Sequence, residues 1–278
     1  MSRIYSTLTG ILWLMTLFPC ILASDEVRKA SRPEKTLPMD GEVFTVSGHV
    51  AFVIPGRSVV PDKPTPWVWY APTLPHLPSE AETWMFEKFT TSGISIAGID
   101  VGESYGSPAG CELYSAFYDE LTTHRGFSAK PVLLGRSRGG LMTLSWAVNN
   151  PDKVGGWAGI YPVCNLSSYP GLDRAAAAFG LTPAELQDRL VEFNPTDRMT
   201  ALARARVPLF AIHGNVDTVV PLEDNTGLMK TRLEEQKWSI DLIIPEGQGH
   251  NMWEGFFQCP ELVSFVTRHA RGSQPDTP

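Results

Sequence analysis

The sequence has few charged side chains and few cysteines, and it contains neither internal repeats nor a long low-complexity stretch. Only 19% of its 278 residues are charged, against 43% that are hydrophobic, and charges of one sign form no runs. The net charge of −7 argues against a surface that binds nucleic acid or an anionic membrane. A chain of this length and apolar content can bury one large core. We therefore expect one globular domain with a small, uncharged substrate, such as a sugar ester.

The four cysteines do not have the spacing of a metal site, and no histidine lies near them as a further ligand. One cysteine falls within the N-terminal apolar stretch. Its removal leaves Cys111, Cys164 and Cys259, an odd number that allows one disulfide at most. We expect neither a metal nor another cofactor.

The N-terminus has the features of a secretory signal peptide over residues 1–23. Arg3 precedes an apolar stretch from Ile11 to Ala23, and polar residues follow. This apolar core is short for a membrane span, so we predict cleavage near Ala23 or Ser24. The mature protein would then be secreted or periplasmic, without stable membrane insertion; an uncleaved anchor is the alternative. Residues 24–41 are predicted to form an N-terminal arm or a linker.

Eight strands and five helices are predicted over the main domain, residues 42–278. The strands lie at 42–46, 49–54, 67–70, 94–100, 131–134, 154–160, 207–213 and 239–244. The helices lie at 80–91, 111–124, 138–149, 224–236 and 259–270. Two opening strands followed by alternating strands and helices predict an α/β fold, with a mostly parallel eight-stranded sheet and helices on both faces.

A Gly-x-Ser-x-Gly motif surrounds Ser137, directly after the predicted strand at 131–134 and before an apolar helix. This strand-turn-helix arrangement is a nucleophile elbow, in which small residues on either side of the serine allow the sharp turn. The same pattern occurs around Ser104, but Gly106 and Pro108 follow it and indicate a loop. Ser137 is therefore the predicted nucleophile.

The predicted acid and base follow later strands. Asp217 lies in the loop after 207–213, where its carboxylate can orient an imidazole, and His250 lies in the loop after 239–244. Taken singly, Asp217 is also typical of a turn, and His250 of a helix cap or a surface position. The order serine, acid, histidine, each after a strand, is that of α/β-hydrolases and favours a catalytic triad.

These motifs resemble the α/β-hydrolase superfamily, most closely its dienelactone-hydrolase and prolyl-oligopeptidase-like branch. The resemblance is carried by Gly135 to Gly140, by His213 to Pro221 and by Gly247 to His250. It implies an α/β-hydrolase sheet and a serine hydrolase that works through an acyl-enzyme. In such an enzyme His250 removes the proton of Ser137, and Asp217 stabilises the resulting imidazolium.

The oxyanion hole needs two donors. One is predicted to be the backbone N–H of Arg138, the residue after the nucleophile. The other is expected from the loop after the third strand, which lacks the His-Gly-Gly-Gly of lipase-like enzymes and contains two prolines without an N–H. Thr73 and Leu74 remain as candidates, with Tyr70 as an outside one.

The side chains of the two arginines in the elbow are expected to differ in role. Arg138 is locally similar to the arginine in the Gly-Cys-Ser-Arg motif of glucuronoyl esterases. Its guanidinium would neutralise a substrate carboxylate or the oxyanion, or else form a salt bridge with Glu103, which we favour. Arg136 is expected to form a structural ion pair away from the site.

The connection 161–206 is too long for a simple crossover, and we predict a small helical lid over Ser137. Thr182-Pro183-Ala184-Glu185 has the pattern of a helix start. Aromatic walls of a substrate pocket are predicted at Tyr161 and Trp253, with Tyr169 and Phe256 as further candidates, although core packing is the commoner fate of such residues. Glu103 and Tyr105, from the loop 102–110, are also predicted to bind substrate.

Three functions fit these residues. The first is an exported carboxylic-ester hydrolase acting on a small-molecule or carbohydrate ester. The second is a serine peptidase of the prolyl-oligopeptidase type, for which Glu103 is the one suggested anchor for a substrate amine. The third is a non-catalytic binding protein on the same fold, against which the complete set of triad residues argues.

Overall fold

The computed structural model describes Met1, residues 35–58 and residues 62–272. Beyond Met1, the predicted signal peptide lies outside the described residues, as does most of the predicted arm. No helix in the described part of the chain is long and apolar enough to cross a membrane.

Eight strands form one sheet in the order β1-β2-β4-β3-β5-β6-β7-β8. The first two pairings, β1 with β2 and β2 with β4, are antiparallel, and all others are parallel. This confirms the predicted α/β-hydrolase sheet. The strands are β1 (Glu42–Val46), β2 (His49–Ile54), β3 (Trp67–Ala71), β4 (Ser95–Ile99), β5 (Val132–Arg136), β6 (Gly156–Ile160), β7 (Leu209–Ile212) and β8 (Asp241–Ile243).

The central strands are buried on both faces, as their continuous apolar runs predicted. Every residue of β3, β4, β6 and β7 is buried. A parallel sheet is covered by crossover helices on both sides, and its strands therefore read as apolar throughout rather than alternating. β1 has no fully buried residue, as befits a strand at the sheet edge.

Ten α-helices connect or follow these strands in the described residues. They are α1 (Thr83–Thr91), α2 (Pro108–Asp119), α3 (Gly139–Asn149), α4 (Leu172–Ala175), α5 (Pro183–Asp188), α6 (Leu190–Phe193), α7 (Thr200–Arg204), α8 (Leu228–Glu234), α9 (Glu254–Phe257) and α10 (Pro260–Ala270). One core contains the buried side chains of α2, α3, α7 and α8, and a second contains those of α1 and α10. These two cores lie on opposite faces of the sheet, as predicted.

The connection 161–206 contains the short helices α4 to α7. A third apolar cluster joins α4 and α5 to Leu141, near the start of α3, and to Val220, in the loop after β7. Thr182 and Glu185 form the capping box that starts α5. The helices thus pack beside the helix that follows Ser137, and their role as a lid stays a prediction.

Candidate active site

Ser137 lies in a sharp turn between β5 and α3, where its φ of 50° is unusual for a residue with a side chain. The turn requires glycine on both sides. A Cβ added to Gly135 would lie 2.8 Å from the Cα of Gly140, and one added to Gly139 would lie 2.2 Å from the carbonyl oxygen of Ala71. The small residues of the motif are therefore demanded by backbone contacts, and the turn raises Ser137 at the C-terminal end of β5.

The structure brings Ser137, His250 and Asp217 into one hydrogen-bonded chain. Ser137 Oγ lies 2.9 Å from His250 Nε2, and His250 Nδ1 lies 2.7 Å from Asp217 Oδ2. Because an ionised carboxylate only accepts, Nδ1 carries the proton and Nε2 is free to accept from Ser137. Within the described residues these three side chains have the arrangement that nucleophilic catalysis by serine requires.

The Asp217 carboxylate accepts hydrogen bonds from further donors besides the imidazole of His250. Its Oδ1 accepts from the backbone N–H groups of Val219 and Val220 at 2.9 and 2.8 Å. Burial by itself raises the pKa of the Asp217 carboxyl, but hydrogen bonds from His213, His250 and the Val220 N–H outweigh it. The pKa therefore lies well below its usual value, and the carboxylate stays ionised wherever His250 acts as a base.

His213 is a buried side chain to which the sequence analysis assigned no role of its own. Its Nε2 lies 2.8 Å from the carbonyl oxygen of Val220 and 3.4 Å from Asp217 Oδ2, and its Nδ1 contacts the hydroxyl of Thr226. Since a carbonyl oxygen only accepts, Nε2 carries the proton and also faces the carboxylate. The available signal was its position four residues before Asp217, in the same loop.

A buried ion pair between Arg136 and Glu82 contacts the tyrosine that packs on His250. Arg136 Nη1 lies 2.6 Å from Glu82 Oε1, which also accepts from the Tyr70 hydroxyl at 2.8 Å. Arg136 Nε donates to the Tyr161 hydroxyl at 3.1 Å, and the Tyr161 ring lies 4.4 Å from that of His250. The structural ion pair predicted for Arg136 is therefore present, but it does not lie away from the site as predicted, because it connects through Tyr161 to the imidazole. Because Tyr70 is fully buried and bonded to Glu82, its hydroxyl is not available to an oxyanion.

The backbone N–H groups predicted as oxyanion donors have no partner among the residues that the structure describes. In the described part of the chain, the N–H of Arg138 forms no hydrogen bond, and neither do those of Thr73 and Leu74. The contact of Gly139 with Ala71 brings the loop after β3 against the start of α3. Thr73 is buried and its hydroxyl donates to the Tyr70 carbonyl at 3.2 Å, so only its backbone N–H is free. The choice between Thr73 and Leu74 stays a prediction.

The predicted substrate-binding residues occupy different places. Glu103 forms an ion pair with Arg138, as favoured above, and Tyr105 packs partly buried against the cluster around Leu141. Tyr161 is only 2% exposed, so it packs behind His250 rather than facing open solvent. Trp253 is 41% exposed, and its ring edge contacts Phe256 at a centroid distance of 5.3 Å.

The other candidates lie in packed positions. Phe256 is fully buried against Tyr161, and Tyr169 packs on the cluster of α4 and α5. Of the cysteines, Cys111, Cys164 and Cys259 are all unpaired in the structure. Burial raises the pKa of the Cys111 thiol to about 12, so that thiol is unreactive at neutral pH. Among the described residues no group of three metal-ligating side chains comes together.

A cavity of about 1150 Å³ lies far from the triad. Its lining includes Pro66, Lys130, Gly155 and Pro208, each of which lies one or two residues before a parallel strand. It therefore opens at the N-terminal edge of the sheet, whereas Ser137, Asp217 and His250 follow the C-terminal ends of β5, β7 and β8. In α/β sheets ligands bind at the C-terminal edge, so the triad and not this cavity marks the candidate active site.

Comparison with known proteins agrees with this site. Residues 116–269 match the model of the prolyl oligopeptidase family. No curated protein matches the chain. Similar solved structures include a puromycin-hydrolysing peptidase of Mycobacterium tuberculosis, with 18% identity and a TM-score of 0.64 over 83% of this chain and 40% of that one.

Two further structures are similar at the same level. An acylaminoacyl peptidase of Pyrococcus horikoshii has 13% identity and a TM-score of 0.66, over 86% of this chain and 43% of that one. The MPT51 protein of Mycobacterium tuberculosis has 14% identity and a TM-score of 0.66, over 84% of this chain and 100% of that one.

These similarities carry different weight. The chain spans about 40% of the length of the two peptidases, and at such identities the structural likeness shows the fold alone. The family match, in contrast, extends over more than half of the sequence and includes Ser137, Asp217 and His250. The chain therefore belongs to the prolyl oligopeptidase family of serine hydrolases, in agreement with the motifs from which the resemblance was first inferred.

Proposed function

We propose that this protein is an exported serine hydrolase that cleaves carboxylic esters. The observation that carries the proposal is the continuous hydrogen-bonded chain from Ser137 through His250 to Asp217. Its acid is kept ionised by the donors around it, and its base is partly exposed, with 18% of the His250 side chain accessible. A substrate carbonyl can therefore reach Ser137 Oγ from solvent.

The reaction follows from this geometry. His250 Nε2 takes the proton of Ser137 as Oγ attacks the ester carbonyl, and the backbone N–H of Arg138 donates to the oxygen on which negative charge develops. His250 then returns the proton to the departing alcohol, and the acyl group stays on Ser137. Water attacks this acyl-enzyme by the same route and releases the acid. Each donor to the oxyanion lowers the barrier by about 3 kcal/mol.

The charges beside Ser137 support an ester rather than a peptide with a free amine. Such a peptide needs a carboxylate to hold its ammonium group, and Glu103, the suggested anchor, lies against the guanidinium of Arg138, whose positive charge disfavours a second cation there. The peptidase remains the second candidate, because the chain belongs to the prolyl oligopeptidase family and resembles two peptidases in fold.

Hydrolysis of 4-nitrophenyl acetate, butyrate and octanoate by the purified protein tests the proposal. We expect turnover that falls with acyl length and that Ser137→Ala lowers by about 10⁶-fold, as for other serine hydrolases that lose the nucleophile. A fluorophosphonate probe should label Ser137 in the wild-type protein and not in the variant.

Two outcomes would contradict the ester assignment. Faster cleavage of peptide 4-nitroanilides than of the esters would establish the peptidase instead. A folded protein that neither turns over any substrate nor reacts with the probe would leave only the non-catalytic binding protein.

Export rests on the pattern of residues 1–23 and has its own test. N-terminal sequencing of the protein recovered outside the cytoplasm should read from Ser24 or a residue close to it. Recovery of a chain that still begins at Met1 and stays with the membrane would favour the uncleaved anchor.

A further inference from the structure

Arg138 and Glu103 form an ion pair beside the proposed nucleophile. Arg138 directly follows Ser137, and Glu103 belongs to the loop after β4. The two side chains are 33% and 42% exposed. Exposed ion pairs contribute little to folding stability, because water screens the attraction and two flexible side chains must be ordered. Stability is therefore a weak reason for a guanidinium at this place.

Further groups surround this pair. Burial raises the pKa of the neighbouring Tyr105, and so do Glu103 and Tyr169, whereas Arg138 and Arg174 lower it. The charged side chains that act on Tyr105 are therefore two guanidinium groups and one carboxylate. Besides Arg138, a second guanidinium, that of Arg174, therefore acts on this part of the site.

Most of the Arg138 guanidinium is free to bind another group. Among the described residues, Glu103 is the one hydrogen-bond partner of its side chain, through Nη1. A guanidinium has five N–H donors arranged to bind a carboxylate through two parallel hydrogen bonds. The Glu103 side chain is 42% exposed, so its carboxylate can rotate into water and leave the guanidinium.

We propose that Arg138 binds a free carboxylate of the substrate and that Glu103 occupies this position when no substrate is present. The inference rests on the proposed ester hydrolysis at Ser137 and specifies its substrate class: esters that carry a second, unesterified carboxyl group. The carboxyl group lies close enough to the scissile carbonyl to be reached by the side chain of Arg138, and it belongs to either the acyl or the alcohol part.

Two matched pairs of esters test the inference and separate the two parts of the substrate. The acyl part is tested by mono(4-nitrophenyl) adipate against 4-nitrophenyl hexanoate, and the alcohol part by 4-acetoxybenzoate against its methyl ester. The measured quantity is the ratio of kcat/KM for the charged ester to that for the neutral one. We expect a ratio of about ten or more in one pair, the size of a single charge-assisted contact.

Variants of the ion pair should move this ratio in opposite directions. Arg138→Gln keeps the backbone N–H and should bring the ratio close to one, with Arg138→Lys in between because it keeps charge but not the planar fork. Glu103→Gln removes the competing carboxylate and should raise the ratio several-fold. Added salt should lower the ratio in the wild-type protein, since the contact is between charges. Fluorophosphonate labelling of Ser137 shows that each variant is folded.

The outcomes distinguish this inference from the proposed function. Equal turnover of charged and neutral esters, or a ratio that Arg138→Gln leaves unchanged, overturns the inference and leaves the esterase intact. A preference for 4-nitrophenyl 6-aminohexanoate that Glu103→Gln abolishes also overturns it, because Glu103 would then bind an amine. Absence of turnover with every ester, neutral ones included, overturns both.

Discussion

Asp217 shows at the scale of one residue how neighbours determine chemistry. Two imidazoles and two backbone N–H groups surround its carboxylate, and the residue is only 5% exposed. A buried carboxylate with fewer donors would be partly protonated and would no longer orient His250. The loop from His213 to Val220 therefore serves mainly to present one ionised acid.

The lowered pKa of Asp217 predicts a pH dependence of stability. A group whose pKa is lower in the folded state stabilises the protein above its unfolded pKa, about 3.9, and this contribution is lost as the pH falls towards the folded value. Asp217→Asn should therefore destabilise the protein at pH 7 and less so at pH 3. Urea unfolding between pH 3 and pH 7 measures the difference, and a difference independent of pH would contradict the prediction.

The buried pair of Glu82 and Arg136 predicts a second effect at this scale. Glu82 is fully buried and Arg136 is 13% exposed, so removing one partner leaves the other charge buried without its counter-ion. Glu82→Gln or Arg136→Met should each lower the free energy of unfolding by about 3–5 kcal/mol. The double variant should lose less than the sum, as urea unfolding in a double-mutant cycle would show.

The same two variants should slow catalysis, because Arg136 holds the hydroxyl of Tyr161 and the Tyr161 ring packs on His250. We expect a lower kcat with little change in KM. Arg189→Gln breaks an exposed ion pair in the connection 161–206 and is the control, with stability close to wild type. If the losses of unfolding free energy in the two single variants added up in the double variant, Glu82 and Arg136 would act separately.

At the scale of elements, the position of Ser137 depends on how closely β3, β5 and α3 approach one another. Gly139 lies against the carbonyl oxygen of Ala71, at the end of β3, and a methyl group there would lie 2.2 Å from it. The backbone of β3 cannot move away from such a methyl group, whereas the end of a flexible side chain could. The elbow thus joins the nucleophile, the N–H of Arg138 and the loop that contains Thr73 into one rigid unit.

Gly139→Ala should consequently separate α3 from the end of β3. We expect the free energy of unfolding to fall by about 1–3 kcal/mol, the usual cost of overpacking. We also expect a lower kcat, because the oxyanion donors are displaced. Gly249→Ala is the matched control for stability, since a Cβ at Gly249 would lie 3.5 Å from the Val216 oxygen, an ordinary contact. Similar melting temperatures for the two variants would contradict the close approach.

For the whole molecule, the direction of the strands decides where the site forms. β5, β7 and β8 run parallel, so the loops that follow them, with Ser137, Asp217 and His250, meet at one edge of the sheet. The two loops that contain Asp217 and His250 also carry exposed apolar side chains, namely Val216, Val219, Met252 and Trp253. The cavity of about 1150 Å³ lies at the opposite edge.

This separation predicts that changes at the two edges have different effects. Trp253→Ala should raise the KM for 4-nitrophenyl butyrate several-fold, because an aromatic surface beside the triad is lost. Lys130→Ala, in the cavity at the N-terminal edge, should leave both kcat and KM as they are. A comparable loss of turnover in both variants would show that the distant cavity affects the site.

Much of this molecule is determined by patterns of neighbouring residues. Apolar runs predicted eight strands and their order of appearance, and small residues around Ser137 predicted the elbow, because a sharp turn cannot accept larger ones. The loops of Asp217 and His250 were identified because each follows a buried strand. Membership of the prolyl oligopeptidase family and the α/β-hydrolase sheet, both inferred from these motifs, are confirmed.

Other features are decided only by the tertiary structure, because their partners are far apart in the chain. Glu82 and Arg136 are separated by 54 residues. Arg136 also contacts Tyr161 and Met252, which lie 25 and 116 residues away in the sequence. No local pattern shows that Tyr161 packs behind His250, or that His213 faces the carboxylate of Asp217. Periodicity records only whether a side chain is buried or exposed, whereas the identity of its partner depends on how strands and helices pack together.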